Sequence, residues 1–173
     1  GAGQAVAAVS SPDPETALAL NDQLYDTLVE LGGDNQVASL SPIWKSYASR
    51  KANADRWGAF WSEDRISNLK NLFHGEGEKY GFAPDAFDPF FQTLHTSVVQ
   101  ENEPKDNLIF DQLKDRFVVT LENETRIFSF FPDEPELIAA MEHLKKSIPS
   151  LVIISRSAIA SSLAQDYTRE FTR

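Results

Sequence analysis

Apolar and polar positions divide the chain into segments of distinct period. From Gln4 to Ser10 the run "QAVAAVS" is short and apolar and ends in "SPDP", which predicts a buried strand and a turn. Pro14 stands where a first helical position tolerates proline, with Asp13 as the N-cap. From Glu15 to Leu31 the residues Ala17, Leu20, Leu24, Leu28 and Leu31 recur at helical spacing, and Gly32 and Gly33 stop the pattern.

The next stretch changes character. "SLSPIW" reads as a loop or short extended piece. Ile43 to Phe73 reads as helical, with Trp57, Phe60, Trp61, Ile66, Leu69, Leu72 and Phe73 broadly on one side and a fresh N-terminus at "SEDR", Ser62 to Arg65. "HGEGEKYGF" interrupts the helix with glycines, and "PDAFDPFFQTLHTSVVQ" restarts it. There Pro84 and Asp85 open one turn, and Asp88 and Pro89 another. "ENEPKDN" is a polar turn and "LIFDQLKDR" a short amphipathic piece.

The period then shifts toward two. "RFVVTL" (Arg116 to Leu121) and "TRIFSFF" (Thr125 to Phe131) flank "ENE" and predict a β-hairpin. "PDEPELIAAMEHLKKSI" is helical, with acids first and Lys145 and Lys146 last, as the helix dipole favours. "SLVIIS" is a buried strand, and Ser155 or Ser157 caps a final helix running toward Phe171. With the segment from Ser39 to Asp115 set aside, the first six elements read βαββαβ. The expected fold is therefore α+β: a ferredoxin-like sandwich on a four-stranded antiparallel sheet, from residues 1–38 and 116–173, with 39–115 as an inserted helical subdomain and an extra C-terminal helix. The right-handed crossover rule puts the first and third strands side by side.

Composition narrows the function. The 173 residues are 42% hydrophobic and 11% aromatic, enough for one globular domain with a core, alone or with a subdomain. The net charge of -10, with no basic patch to offset it, disfavours nucleic acid and anionic lipid headgroups as partners. The lack of cysteine removes thiolate catalysis, disulfides and Cys-ligated zinc. No run of about 18 apolar residues is present to span a bilayer. "GAGQAVAAVSS" has no signal-peptide pattern, and the opening Gly1 fits an excised piece of a longer protein.

Candidate chemistry is sparse. His74, His95 and His143 form no paired metal spacing. His74 with Glu76 and Glu78 in "HGEGE" is better read as a solvated loop than as a metal site. "SRS", Ser155 to Ser157, lacks the glycines of a nucleophile elbow and reads as a helix cap. "NET" (Asn123 to Thr125) matches a glycosylation sequon, and in a bacterial protein only a turn preference. Asp85, Asp88, Asp111 and Asp115 have no spacing that singles out an acid/base pair. The aromatic set says more. Trp57 and Trp61 are one helical turn apart and, with Phe60, pack with Phe82, Phe87, Phe90 and Phe91 as the core of the inserted subdomain, or line a cleft beside it. Trp57, Trp61, Phe87, Phe90 and Phe91 are the expected ligand contacts.

A strand followed by "DPETALALNDQL", then "SLSPIW", "ANADRWGAFW" and "GFAPDAFDPFF", resembles the extracytoplasmic domain of MMPL-like exporters of the resistance-nodulation-division (RND) superfamily. The C-terminal "LVIISRSAIASSLAQDYTREFTR" is similar to the approach to a transmembrane helix in those proteins. The family has a Gln-containing helix where this chain has "YASRKANADRW". The resemblance implies a periplasmic porter domain of a bacterial inner-membrane, proton-driven exporter, one of two such loops. It implies no catalysis and no cofactor. Its partners would be a hydrophobic or amphipathic small molecule or lipid and the transmembrane helices of the same polypeptide, with a homo-oligomer compatible. The alternative is an extracellular ligand-sensing domain of a membrane receptor or histidine kinase. A soluble enzyme is the third reading, with no nucleophile, metal or cofactor motif behind it.

Overall fold

The computed structural model describes residues 3–32, 36–94, 107–160 and 162. Strand β1 (Gln4–Ser11) leads into helix α1 (Pro14–Gly32). Asp13 caps α1: its carboxylate accepts from the Thr16 backbone N–H at 2.9 Å and from the Thr16 hydroxyl at 2.6 Å. Helices α2 (Tyr47–Phe60), α3 (Glu63–Lys79), α4 (Asp88–Leu94) and α5 (Leu108–Phe117) follow. Strands β2 (Val118–Leu121) and β3 (Glu124–Pro132), helix α6 (Pro135–Leu144) and strand β4 (Val152–Ile154) complete the named elements, and residues 156–160 are again helical.

The protein is α+β, with a four-stranded sheet in the order β2-β3-β1-β4 and every neighbouring pair antiparallel. The alternation of β1 and β3 decides which face is covered. Ala5, Ala7 and Val9 pair with Phe131, Ser129 and Ile127, and all six are buried. Their core includes Leu24 and Leu28 from α1 and Leu137 and Met141 from α6. On the opposite face Val6 pairs with Phe130 and Ile154, and Ala8 with Phe128 and Val152.

The chain forms two compact units, Gly1–Ser46 with Pro104–Arg173, and Tyr47–Glu103. The stretch 39–46 and helix α5, read from sequence as parts of the insertion, belong to the sheet unit. Their Leu40, Trp44, Phe110 and Phe117 are buried in its core, Trp44 and Phe110 meeting edge to face at 5.5 Å. A polar network fixes the same stretch. Asp22, buried on α1, accepts from the Ser41 hydroxyl at 2.6 Å and from the Ser46 N–H and hydroxyl at 2.9 and 2.8 Å. Beside it the hydroxyls of Ser39 and Ser129 lie 3.1 Å from Asn21 Oδ1.

Four local expectations are corrected. Helix α2 starts at Tyr47 rather than Ile43, because the Ser46 N–H is taken by Asp22 instead of a helical carbonyl. The glycines of "HGEGEKYGF" do not interrupt α3, which runs through Gly75 and Gly77 to Lys79; an internal glycine costs a helix only about 1 kcal/mol. Arg116 and Phe117 end α5 rather than begin β2, since Phe117 is drawn into the core at the helix end. Strand β4 holds only Val152–Ile154, with Leu151 buried just before it. The helical reading from His95 to Gln100, the turn from Glu101 to Asp106 and the end of the run toward Phe171 lie outside the described residues, as does Gly33.

Candidate ligand site

The unit Tyr47–Glu103 is built on α3. Ser62 caps it by accepting from the Arg65 N–H at 3.4 Å, and Glu63 and Asp64 fill its first turn, where the helix dipole favours acids. Ile66, Leu69, Phe73 and Gly77 follow one another at three- and four-residue steps and so share one stripe. Ile66 is buried with Phe91 and Leu94 of α4, and Trp61, Leu69, Phe73 and Phe87 pack against that small core. Lys70 Nζ meets Asp88 Oδ1 at 2.8 Å and ties the start of α4 to α3. The Lys70 ammonium beside it holds the Asp88 carboxyl below its ordinary value.

The end of α3 shapes a pocket. Gly81 has a φ of 78°, a left-handed conformation that disfavours any residue with a Cβ. Its N–H bonds the Glu78 carbonyl at 3.2 Å, and the Phe82 N–H bonds the Gly77 carbonyl at 3.0 Å. This is a Schellman closure, and it folds Phe82 back over Gly77. Phe87 then comes within 5.3 Å of the Phe82 ring and 5.0 Å of the Phe73 ring. A pocket of about 260 Å³ results, walled by Phe73, Phe82 and Phe87, with Leu72 and Tyr80 at its sides. A Cβ at Gly77 would stand 3.4 Å from Phe87 Cε2 and 3.6 Å from Phe82 Cβ, so the missing side chain leaves room beneath the rings. Glu76, the carboxylate of the lining, pairs with Lys79 at 2.7 Å.

Such a site offers dispersion and dehydration to an apolar group, each buried methylene contributing about 0.8 kcal/mol. For scale, a dry cavity of about 150 Å³ admits benzene. Among the described residues no three His, Cys, Asp or Glu side chains are gathered to hold a metal. Ser155 caps the last helical segment: its Oγ accepts from the Ala158 N–H at 3.0 Å and donates to Asp133 at 2.7 Å.

Of the five residues expected from sequence to contact ligand, Phe87 lines the pocket. Phe91 is buried in the small core, and Phe90, 44% exposed, stacks on Phe73 at 6.1 Å without joining the lining. Trp61 packs against the core and meets Trp57 at 5.8 Å and Phe60 at 5.0 Å, forming a separate aromatic group. The phenylalanines therefore converge on Phe73 of α3 rather than on Trp57. Leu72, Tyr80 and Gly77 were not singled out as ligand contacts. The signal available for them was "KYGF", where a glycine after a helix and an apolar residue after the glycine spell the Schellman closure. No family model, no curated protein and no solved structure matches this chain.

Proposed function

We propose that the chain is a non-catalytic periplasmic loop domain of a proton-driven, MMPL-like exporter of the RND superfamily, where it handles or gates a hydrophobic or lipid-like cargo. The observation that carries this reading is the ring-walled pocket between the end of α3 and Phe87, whose lining suits an apolar group. The sequence resemblance supplies the family. The strand order β2-β3-β1-β4, with α1 after β1 and α6 after β3, supports assigning the sheet unit to the ferredoxin-like βαββαβ class, with a helical insertion after α1. In this reading the domain performs no bond chemistry and acts through what it binds and what it moves.

The test fills the pocket from its floor. Gly77→Leu places a branched side chain beneath Phe82 and Phe87, whereas Gly77→Ala adds one methyl at ordinary contact distance. Titration with N-phenyl-1-naphthylamine is expected to give saturable fluorescence enhancement with the native protein and with Gly77→Ala. It is expected to weaken about tenfold or more with Gly77→Leu. Equal binding by all three proteins overturns the site. In the parent transporter, Gly77→Leu is expected to cut export of an apolar dye, and undiminished export counts against the cargo role.

A further inference from the structure

The pocket at the end of α3 is walled by rings rather than by aliphatic chains. Among the described residues that line it, Phe73, Tyr80, Phe82 and Phe87 are aromatic and Leu72 is aliphatic. The rings are steeply inclined to one another: the planes of Phe73 and Phe87 differ by 79° and those of Phe82 and Phe87 by 52°. Rings set at such angles surround a rounded group from several sides. Gly77 keeps the floor beneath them free of a side chain. An uncharged apolar guest gains about as much from aliphatic walls as from aromatic ones of equal area. A cation does not. It gains from ring faces, whose π electrons carry negative charge, and nothing from an aliphatic wall.

The charges around the pocket have the matching sign. From Lys70 to Asp88 the chain holds four carboxylates, Glu76, Glu78, Asp85 and Asp88, and two lysines, Lys70 and Lys79. With His74 neutral the balance is two minus four, or -2. Both lysines are held by carboxylates, Lys79 by Glu76 at 2.7 Å and Lys70 by Asp88 at 2.8 Å. Setting those pairs aside leaves Glu78 and Asp85, both exposed. Glu78 follows Gly77 directly and Asp85 stands two residues before Phe87, so both lie within about a Debye length, roughly 10 Å, of the lining. The whole chain carries -10, which draws cations and repels anions. An anionic guest thus meets lysines that are already taken, and a cationic guest meets carboxylates beyond those the lysines hold.

We propose that the group inserted into this pocket is an alkylated ammonium, received by Phe73, Phe82 and Phe87 as an aromatic cage. The inference rests on the pocket assigned above to an apolar cargo and names the chemical class of the part that enters it. Alkyl substituents on the nitrogen supply apolar surface for the rings to dehydrate, while the ring faces and the nearby carboxylates meet the charge. A primary ammonium is a poorer guest, because the ring walls accept none of its three N–H hydrogen bonds and its hydration is lost without replacement. Size agrees. The pocket holds about 260 Å³, against about 150 Å³ for a dry cavity that admits benzene, so a trimethylammonium head fits together with the first methylenes of its chain.

The test measures displacement of N-phenyl-1-naphthylamine from the whole 173-residue protein by three molecules of one shape. These are choline, the uncharged 3,3-dimethyl-1-butanol and the anionic 3,3-dimethylbutanoate. Choline is expected to act at about fivefold or more lower concentration than the alcohol, the ratio shrinking at high salt, and the anion to act last. Phe87→Leu keeps an apolar wall but removes a ring face and should bring the ratio of choline to alcohol toward one. The exposed double variant Glu78→Gln/Asp85→Asn should lower that ratio about twofold with native far-ultraviolet circular dichroism. The ratio in the native protein decides the inference by itself, so a variant that unfolds leaves the test intact. If the probe binds and choline displaces it no better than the alcohol, or less well than the anion, the pocket reading stands and the ammonium inference is overturned. If the native protein does not bind the probe saturably, or Gly77→Leu binds it equally, the pocket fails and the inference with it. Phosphatidylcholine vesicles that sediment with the protein and release it to choline place the ammonium on a lipid headgroup. Displacement by choline without vesicle binding places it on a soluble molecule.

Discussion

The two units of this protein handle apolar surface in opposite ways. In the sheet unit, eighteen apolar side chains are buried in one cluster, from Ala5 on β1 to Leu151 before β4. Among the described residues of the unit built on α3, three are, and several rings are half in water: Trp57, Phe60, Phe82 and Phe90 are each 44 to 54% exposed. The difference is not one of composition, since the second unit is the more aromatic. It lies in geometry. A sheet face gives two helices a broad common surface to cover, whereas α3 and α4 meet along single stripes and leave their outer sides open. The first arrangement favours rigidity. The second leaves aromatic surface accessible, which binding requires and stability does not.

The largest effect is expected at the centre of the sheet unit. Phe131 is fully buried, and Phe131→Ala should destabilise the protein by about 3–5 kcal/mol in urea unfolding, with amides of β1, β3 and α1 losing protection together. A loss below about 1 kcal/mol would mean that this core relaxes far more freely than a packed interior. Phe91→Ala sharpens the contrast. Phe91 is 4% exposed, but its neighbours Phe73 and Phe90 are less confined and can close the gap, so the loss should be smaller, about 2–3 kcal/mol. Hydrogen exchange should place that loss within residues 47–94. If Phe91→Ala unfolds the sheet equally, the two units are one cooperative body and the contrast fails.

The smallest effect is a dependence on pH in the sheet unit. Asp133 accepts hydrogen bonds from Ser157 and Ser155 and from the Ser157 N–H, and these hold its carboxyl below the ordinary value of 3.8. A carboxyl depressed on folding stabilises the native state above its unfolded value, and that contribution disappears as pH falls through the folded one. Asp133→Asn should therefore lower the melting temperature at neutral pH, with the gap to the native protein closing on acidification. A gap independent of pH would assign the effect to lost geometry rather than lost charge.

Much of the sheet unit was legible in the sequence because its signals were local and agreed with each other. The step from Ala17 to Leu28 gave α1, "SPDP" gave its cap, and the β-branched and aromatic runs around "ENE" gave the hairpin. What was not legible depended on pairings distant in sequence. Nothing near Ser46 announces that Asp22, twenty-four residues earlier, takes its N–H and delays the next helix. In the ligand site, the abundance of rings was visible but their sorting was not. Trp57 and Phe87 look alike as isolated aromatics, and only the reversal at Gly81 decides that Phe82 and Phe87 enclose a pocket while Trp57 stands outside it.

The grip of Asp22 on Ser46 has a counterpart at the other junction. Helix α5 begins on its own cap, where the Asn107 side chain accepts from the Phe110 N–H at 3.1 Å. The sheet unit thus fixes its own chain at Ser46 and again from Asn107 onward. Over evolutionary time that makes the segment between them replaceable. Its sequence and length can drift, since closing a longer loop adds only about 0.6 kcal/mol per doubling, while the sheet that carries it stays as it is. Changes of sequence or length between Ser46 and Asn107 would then leave the strands as they are.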